Sequence, residues 1–318
     1  MKKAPNIKLS LRKLFTAMLA VGPVAILPGP LWATLPANTG SFTVSAGTAT
    51  VATAGTQATI TVSDRAILNW GNNTVVGDGF ATNFKIDAGE TYNFVAPSGG
   101  SVLNKVAKGT STVAAPEAAI IDGTLVSTGR VFVLSSNGDI RVGGGAAINT
   151  GGGLILSTLT ESSDFPYTVN GDLTFAGTSN GNISIGASGA TNILGNLDAA
   201  AGSVTFGGAS VVGNVVLRSV NSTAGLSLAS AATSSITGTF SATTNNGAIT
   251  QTNALTVGGI ASLNAGTAGI TLNSASNNFT TVSVNAGGAV SLTDANNIDL
   301  AASTIGTTLV PANLTVSA

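Results

Sequence analysis

The sequence contains no cysteine and no histidine, and only 8% of its 318 residues are charged. Without cysteine there is no disulfide to staple the fold and no thiol nucleophile. A chain that must stay extended while passing through a pore has no cross-link to block it. Without histidine the commonest general base and the commonest metal ligand are missing. Methionine, with two residues, and aromatic residues, at 5%, are scarce as well. Five of the 12 basic residues are Lys2, Lys3, Lys8, Arg12 and Lys13; beyond residue 33, seven remain against 13 acidic ones, a net charge near −6. That balance argues against binding a phosphate backbone through clustered cations, so no nucleic-acid partner is expected. After Arg218 only Asp294 and Asp299 carry charge. No stretch beyond residue 33 reaches 18 consecutive apolar residues, which excludes membrane-spanning helices there.

What is present begins with an export signal. The five early cations precede Leu14 to Leu27, an uncharged stretch of 14 residues. It is too short for a spanning helix, which needs about 20 residues, but it has the flanks of a secretory signal. Ala33 and Ala37 supply small residues behind it, and cleavage is expected after Ala33.

The rest reads as strands and turns. Runs such as Ile183-Ser184-Ile185, Val204-Thr205-Phe206 and Ile270-Thr271-Leu272 alternate apolar and polar residues, and Asn-Gly, Gly-Gly and Ala-Gly pairs separate them. The runs recur with a period. A turn residue followed by an aliphatic one appears at Ile183, Val204, Leu226, Ile249, Ile270 and Val290, spaced 21, 22, 23, 21 and 20 residues apart. A second series lies between them at Leu194-Gly195-Asn196-Leu197, Val212-Gly213-Asn214-Val215, Ile236 to Phe240 and Val257-Gly258-Gly259-Ile260. A fixed period of this length marks a solenoid. One such coil cannot bury its apolar positions alone, whereas stacked coils share a core and pair their strands at roughly 4.8 Å. The expected fold is all-β, a parallel β-helix with Ile, Val, Leu and Phe inward and Ser, Thr and Asn outward. Residues 176–318 would supply about seven coils, some 30 Å of it.

Chemistry is hard to build from this inventory. Gly143-Gly144-Gly145 and Gly151-Gly152-Gly153 are not followed by Gly-Lys-Ser/Thr, so they read as turns rather than as a phosphate cradle. The carboxylates, among them Asp64, Asp122, Asp139, Asp198 and Asp294, do not recur one coil apart with a partner, as a glycosidase pair would require. No catalytic residue, metal ligand or cofactor is expected, and the chain is not expected to be an enzyme.

Residues 34 to about 175 carry a more specific pattern. It runs through Thr34-Leu35-Pro36, Ser45 to Thr50, Arg65-Ala66-Ile67-Leu68-Asn69-Trp70, Phe84-Lys85-Ile86, Gly89-Glu90 and Phe94. It continues with Leu103-Asn104-Lys105-Val106, Ile121 to Leu125, Gly129 to Leu134 and, further on, Gly151-Gly152-Gly153-Leu154. In this order the elements resemble the two-partner secretion domain of filamentous haemagglutinin and its relatives, also called the haemagglutination activity domain. That family's Asn-Pro-Asn-Gly secretion motif falls on Ser135-Ser136-Asn137-Gly138, which keeps Asn137 and Gly138 and has serine at the first two places. Read from the residues alone, Asn137-Gly138 is a tight-turn dipeptide that closes a coil; a contact with a transporter is the other reading, and the two are compatible.

The resemblance implies a right-handed helix with an N-terminal cap and short extra-helical β elements. It divides the chain into a signal at 1–33, a secretion domain at 34–175 and helix repeats at 176–318. It further implies export through the periplasm and outer membrane by a dedicated outer-membrane β-barrel transporter with periplasmic docking domains. The product would be a secreted or cell-surface, adhesin-like, monomeric rod, with host or surface glycans as a second partner class. A single-chain autotransporter passenger, and the stem of a toxin or polysaccharide-active enzyme, remain as alternatives. Because Leu314-Thr315-Val316 reads as a further strand without a charged cap, the chain is expected to be a fragment of a longer protein or a truncated gene product.

Overall fold

The computed structural model describes residues 42–70, 84–106, 119–136, 138–159, 179, 181–186, 189–307 and 311–318. No described residue is helical. The 30 described strands form two sheets, of 20 and 10 strands, and nearly all pairings are parallel.

The sheets are the three faces of one coiled chain. One coil runs Asn182–Ile185 on the first face, Thr191–Leu194 on the second and Leu197–Ala201 on the third. The next coil repeats it with Ser203–Phe206, Ala209–Val211 and Val215–Ser219, each strand in parallel register with its counterpart. The second and third faces merge into one sheet because Leu255–Gly266 and Asn278–Ala286 run unbroken through the corner between them. This is a parallel β-helix. The period read from the sequence is its register: Ile183, Val204, Leu226, Ile249, Ile270, Val290 and Leu314 pair in one unbroken line. The first face holds ten strands, from Phe84–Ile86 to Leu314–Ser317, a stack about 43 Å long at strand spacing. Strands on either side of residue 175 are direct neighbours, as in Ile140 opposite Ile183 and Leu154 opposite Leu197. The ladder passes through that point without a break.

The core is one continuous column of inward Ile, Val, Leu, Phe and Ala side chains. At its N-terminal end it widens into aromatic packing. Trp70 meets Phe42 at 4.8 Å and Phe84 at 4.9 Å between ring centroids, and Tyr92 lies 6.1 Å from Phe84. Two antiparallel strands close this end. Phe42–Ala46 pairs with Ala66–Trp70, and Ala49–Ala54 forms a hairpin with Gln57–Val62. The hairpin turns at Gly55, whose φ of 58° suits a tight two-residue connection. An exposed parallel edge is a template for further pairing, and an antiparallel cap removes it.

The third face also carries apolar residues on its outer side. Ile67, Leu103, Phe132 and Ile155 stand in line on four successive coils. Leu103, Phe132 and Leu134 are buried there, in a cluster separate from the core. The next position in that line is Asp198, so the apolar stripe ends where the regular repeats begin.

One sequence expectation is corrected. Leu194, Val212 and Ile260 were expected inward, but they are 51%, 53% and 49% exposed. The inward pairs flanking that corner are Ile193 with Leu197, Val211 with Val215, Ile236 with Phe240, and Val257 with Ala261. The chain needs three residues to turn the corner, so inward positions are four apart. Only the Ile236-to-Phe240 segment had been read with that spacing.

Candidate functional site

The corner between the third and first faces carries the expected secretion motif. Asn137 and the expected cleavage residue Ala33 both lie outside the described residues. Gly138 is described, and it is buried. Its N–H donates to the carbonyl of Ser135 at 3.0 Å, closing a tight turn between Arg130–Leu134 and Ile140–Val142. Gly181 stands on the adjacent coil, and a Cβ there would strike the Gly138 carbonyl. Glycine at 181 lets the two turns stack at backbone distance.

Polar side chains tie this corner to its neighbours. Asp139 accepts the backbone N–H of Asn182 at 2.7 Å, and Asn182 in turn accepts the Ser203 hydroxyl at 2.5 Å. Behind them the Ser179 hydroxyl donates to the Thr158 carbonyl at 2.6 Å, and the Thr158 hydroxyl donates to Gly181 at 3.1 Å. The Asn221 amide donates to the Ser179 carbonyl at 2.6 Å. Ser135, at the place where the related motif has asparagine, is buried, and its hydroxyl has no hydrogen-bond partner. The arrangement orders backbone from coil to coil, and among its described residues there is no nucleophile–base pair.

The described carboxylates do not gather into one cluster, and some of them tie neighbouring coils together. Asp122 takes both arms of the Arg141 guanidinium at 2.8 Å across two coils, Asp198 pairs with Arg218, and Asp87 pairs with Lys85 at 2.8 Å. Asp294, 4% exposed, accepts the N–H groups of Phe279 and Ala295. Among the described residues no group of three or more Asp, Glu, His or Cys could hold a metal ion.

Sequence reasoning missed several polar residues inside the helix. Asn104 is fully buried, accepting the Trp70 indole N–H at 2.9 Å and donating to the Phe132 carbonyl at 3.1 Å. Thr191 donates to the Gly143 carbonyl at 2.7 Å. Asn277 exchanges 2.7 Å bonds with Gln251 and accepts the N–H of Leu255. A pattern of alternating apolar residues gives no signal for such exceptions.

Residues 212–285 match a family model described as repeats of unknown function (DUF5649). No curated protein matches the chain. Among solved structures, the chain is similar to the crystal structure of the HMW1 secretion domain from Haemophilus influenzae. The identity is 19% and the TM-score 0.45, over 83% of this chain and 72% of that one. The β-helix rests on the strand register described above, independently of that likeness.

Proposed function

We propose that the chain is an exported exoprotein whose N-terminal coils direct passage through a dedicated outer-membrane β-barrel transporter with periplasmic docking domains. It would act at the cell surface or in the medium as a structural, adhesin-like rod and not as an enzyme. The observation that carries this reading is the conjunction of the ordered secretion-domain pattern over residues 34–175 with a coil stack capped at its N-terminal end.

The physics of the stack suits such a role. Each coil pairs only with the coils before and after it, so chain emerging from a pore gains core and ladder one coil at a time without waiting for distant partners. With no cysteine, no disulfide can lock the chain before it leaves. Asp122 and Asp198 each bind an arginine on the neighbouring coil, which supports a structural role. On this reading Gly138 shapes the corner that the secretion motif occupies, and the helix beyond it is the delivered rod.

Deleting residues 42–157 behind an intact signal, in cells that express the transporter, tests the assignment. The truncated product is expected to stay in the periplasm while the intact chain reaches the outside. Equal export of both would refute a secretion role for these coils.

A further inference from the structure

The corner between the second and third faces opens a shallow depression of about 300 Å³ across the first four coils. Arg65, Ser101 and Arg130 hold one position on three of them. Arg130 pairs with Ser101, and Ala66, directly after Arg65, pairs with Val102. The two arginines are therefore two coils apart, roughly 9.6 Å along the axis at strand spacing.

Between and beside them the floor is glycine. A Cβ on Gly129 would strike the Gly100 carbonyl, and one on Gly152 would come within 2.7 Å of the Arg130 nitrogen. Close stacking explains these glycines without any ligand, but it leaves bare backbone flanked by two guanidinium groups. Both groups are held at the rim. Asp64 lies 4.0 Å from the Arg65 Nε and also accepts the Ser101 N–H at 3.2 Å, while the Arg130 Nε donates to the Gly152 carbonyl at 3.2 Å. Arg65 sits at φ 56°, a left-handed conformation unusual for a residue with a side chain. Backbone strain of this kind collects at functional positions.

We propose that this groove binds an acidic peptide segment, with carboxylates meeting Arg65 and Arg130. On the export reading above, on which this inference rests, the segment belongs to the periplasmic part of the transporter. A guanidinium presents a planar fork of donors that matches a carboxylate. Carboxylates three residues apart on a polyproline-II-like peptide share a face and lie about 9 Å apart, close to the arginine spacing. Among the described residues no aromatic ring lines the groove, so they offer no stacking platform for a sugar.

Fluorescence anisotropy of a labelled hexaglutamate peptide against the full chain at low salt tests the groove. Saturable binding is expected, weakened at least tenfold in the Arg65→Gln/Arg130→Gln double variant and lost as salt rises. An unchanged thermal midpoint for that variant separates lost binding from lost fold. Absent binding, equal binding by the variant, or a heparin hexasaccharide displacing the peptide at lower concentration would each overturn the proposal. Export of the same double variant separates the two readings. Slowed export supports the assignment to the transporter. Export at the unaltered rate, with peptide binding intact in the parent, removes the transporter as the source and leaves the export reading standing.

Discussion

Asn104 lies inward between Val102 and Val106 on a strand of otherwise apolar inward residues, and it links the Trp70 indole to the Phe132 carbonyl. From sequence, Leu103-Asn104-Lys105-Val106 invites the opposite choice, with leucine inside. Leu103 is indeed buried, but in the outer cluster of the third face, so two residues of opposite polarity are both buried on opposite sides of one strand. Periodicity cannot show that. Asn104→Leu leaves the buried Trp70 indole N–H without its acceptor, a loss of about 1–3 kcal/mol. Urea unfolding followed by Trp70 fluorescence measures it, and the other tryptophan, Trp32, precedes the expected cleavage site. Gly186 makes a second residue-scale case. Its φ is 68°, and a Cβ there would run into the carbonyl of Gly207 on the next coil. Gly186→Ala therefore combines strain with collision, and a fall in thermal midpoint is expected. The same change at Gly55, also at positive φ but with open space around its Cβ position, carries only the strain and is expected to lower the midpoint less.

At the scale of strands and corners the sequence is most legible where burial is simplest. The first face presents one aliphatic residue per coil after a turn residue, and that line is its register over seven coils. The corner between the second and third faces was misread because an aliphatic residue stands directly outside the inward one, as in Ile193-Leu194 and Val211-Val212. Hydrophobicity alone cannot choose between two adjacent aliphatic residues; the three-residue corner does. Ile270→Pro removes an N–H that donates to the Ala289 carbonyl at 3.0 Å in the middle of the ladder. Proline in a central strand is tolerated poorly, so slower surface appearance and lower stability are expected, with Ile270→Val as the packing control. Phe132→Ala tests the outer cluster. A loss of about 3–5 kcal/mol is expected from the cavity, read by denaturant titration. A change near zero would mean that the outer stripe contributes nothing to stability.

At the scale of the whole molecule, the described coils differ in decoration more than in plan. The early coils carry the cap, the aromatic packing, the outer apolar stripe and the two-arginine groove. The later ones, from about residue 182, keep the three-strand coil with short corners and few charges. The solenoid was readable from its period. The cap's antiparallel pairing and the groove were not, since both depend on which distant residues the register brings together. Of the expected motif, Gly138 has a visible role in the corner, while Asn137 and Ala33 lie outside the described residues. The absence of native cysteine allows a clean test of the export claim. A single cysteine at Ser210, an outward and exposed position on the second face, can be labelled on intact cells with a maleimide that does not cross the outer membrane. The account predicts labelling only when the partner transporter is expressed. Equal labelling without the transporter, or none with it, would contradict the account.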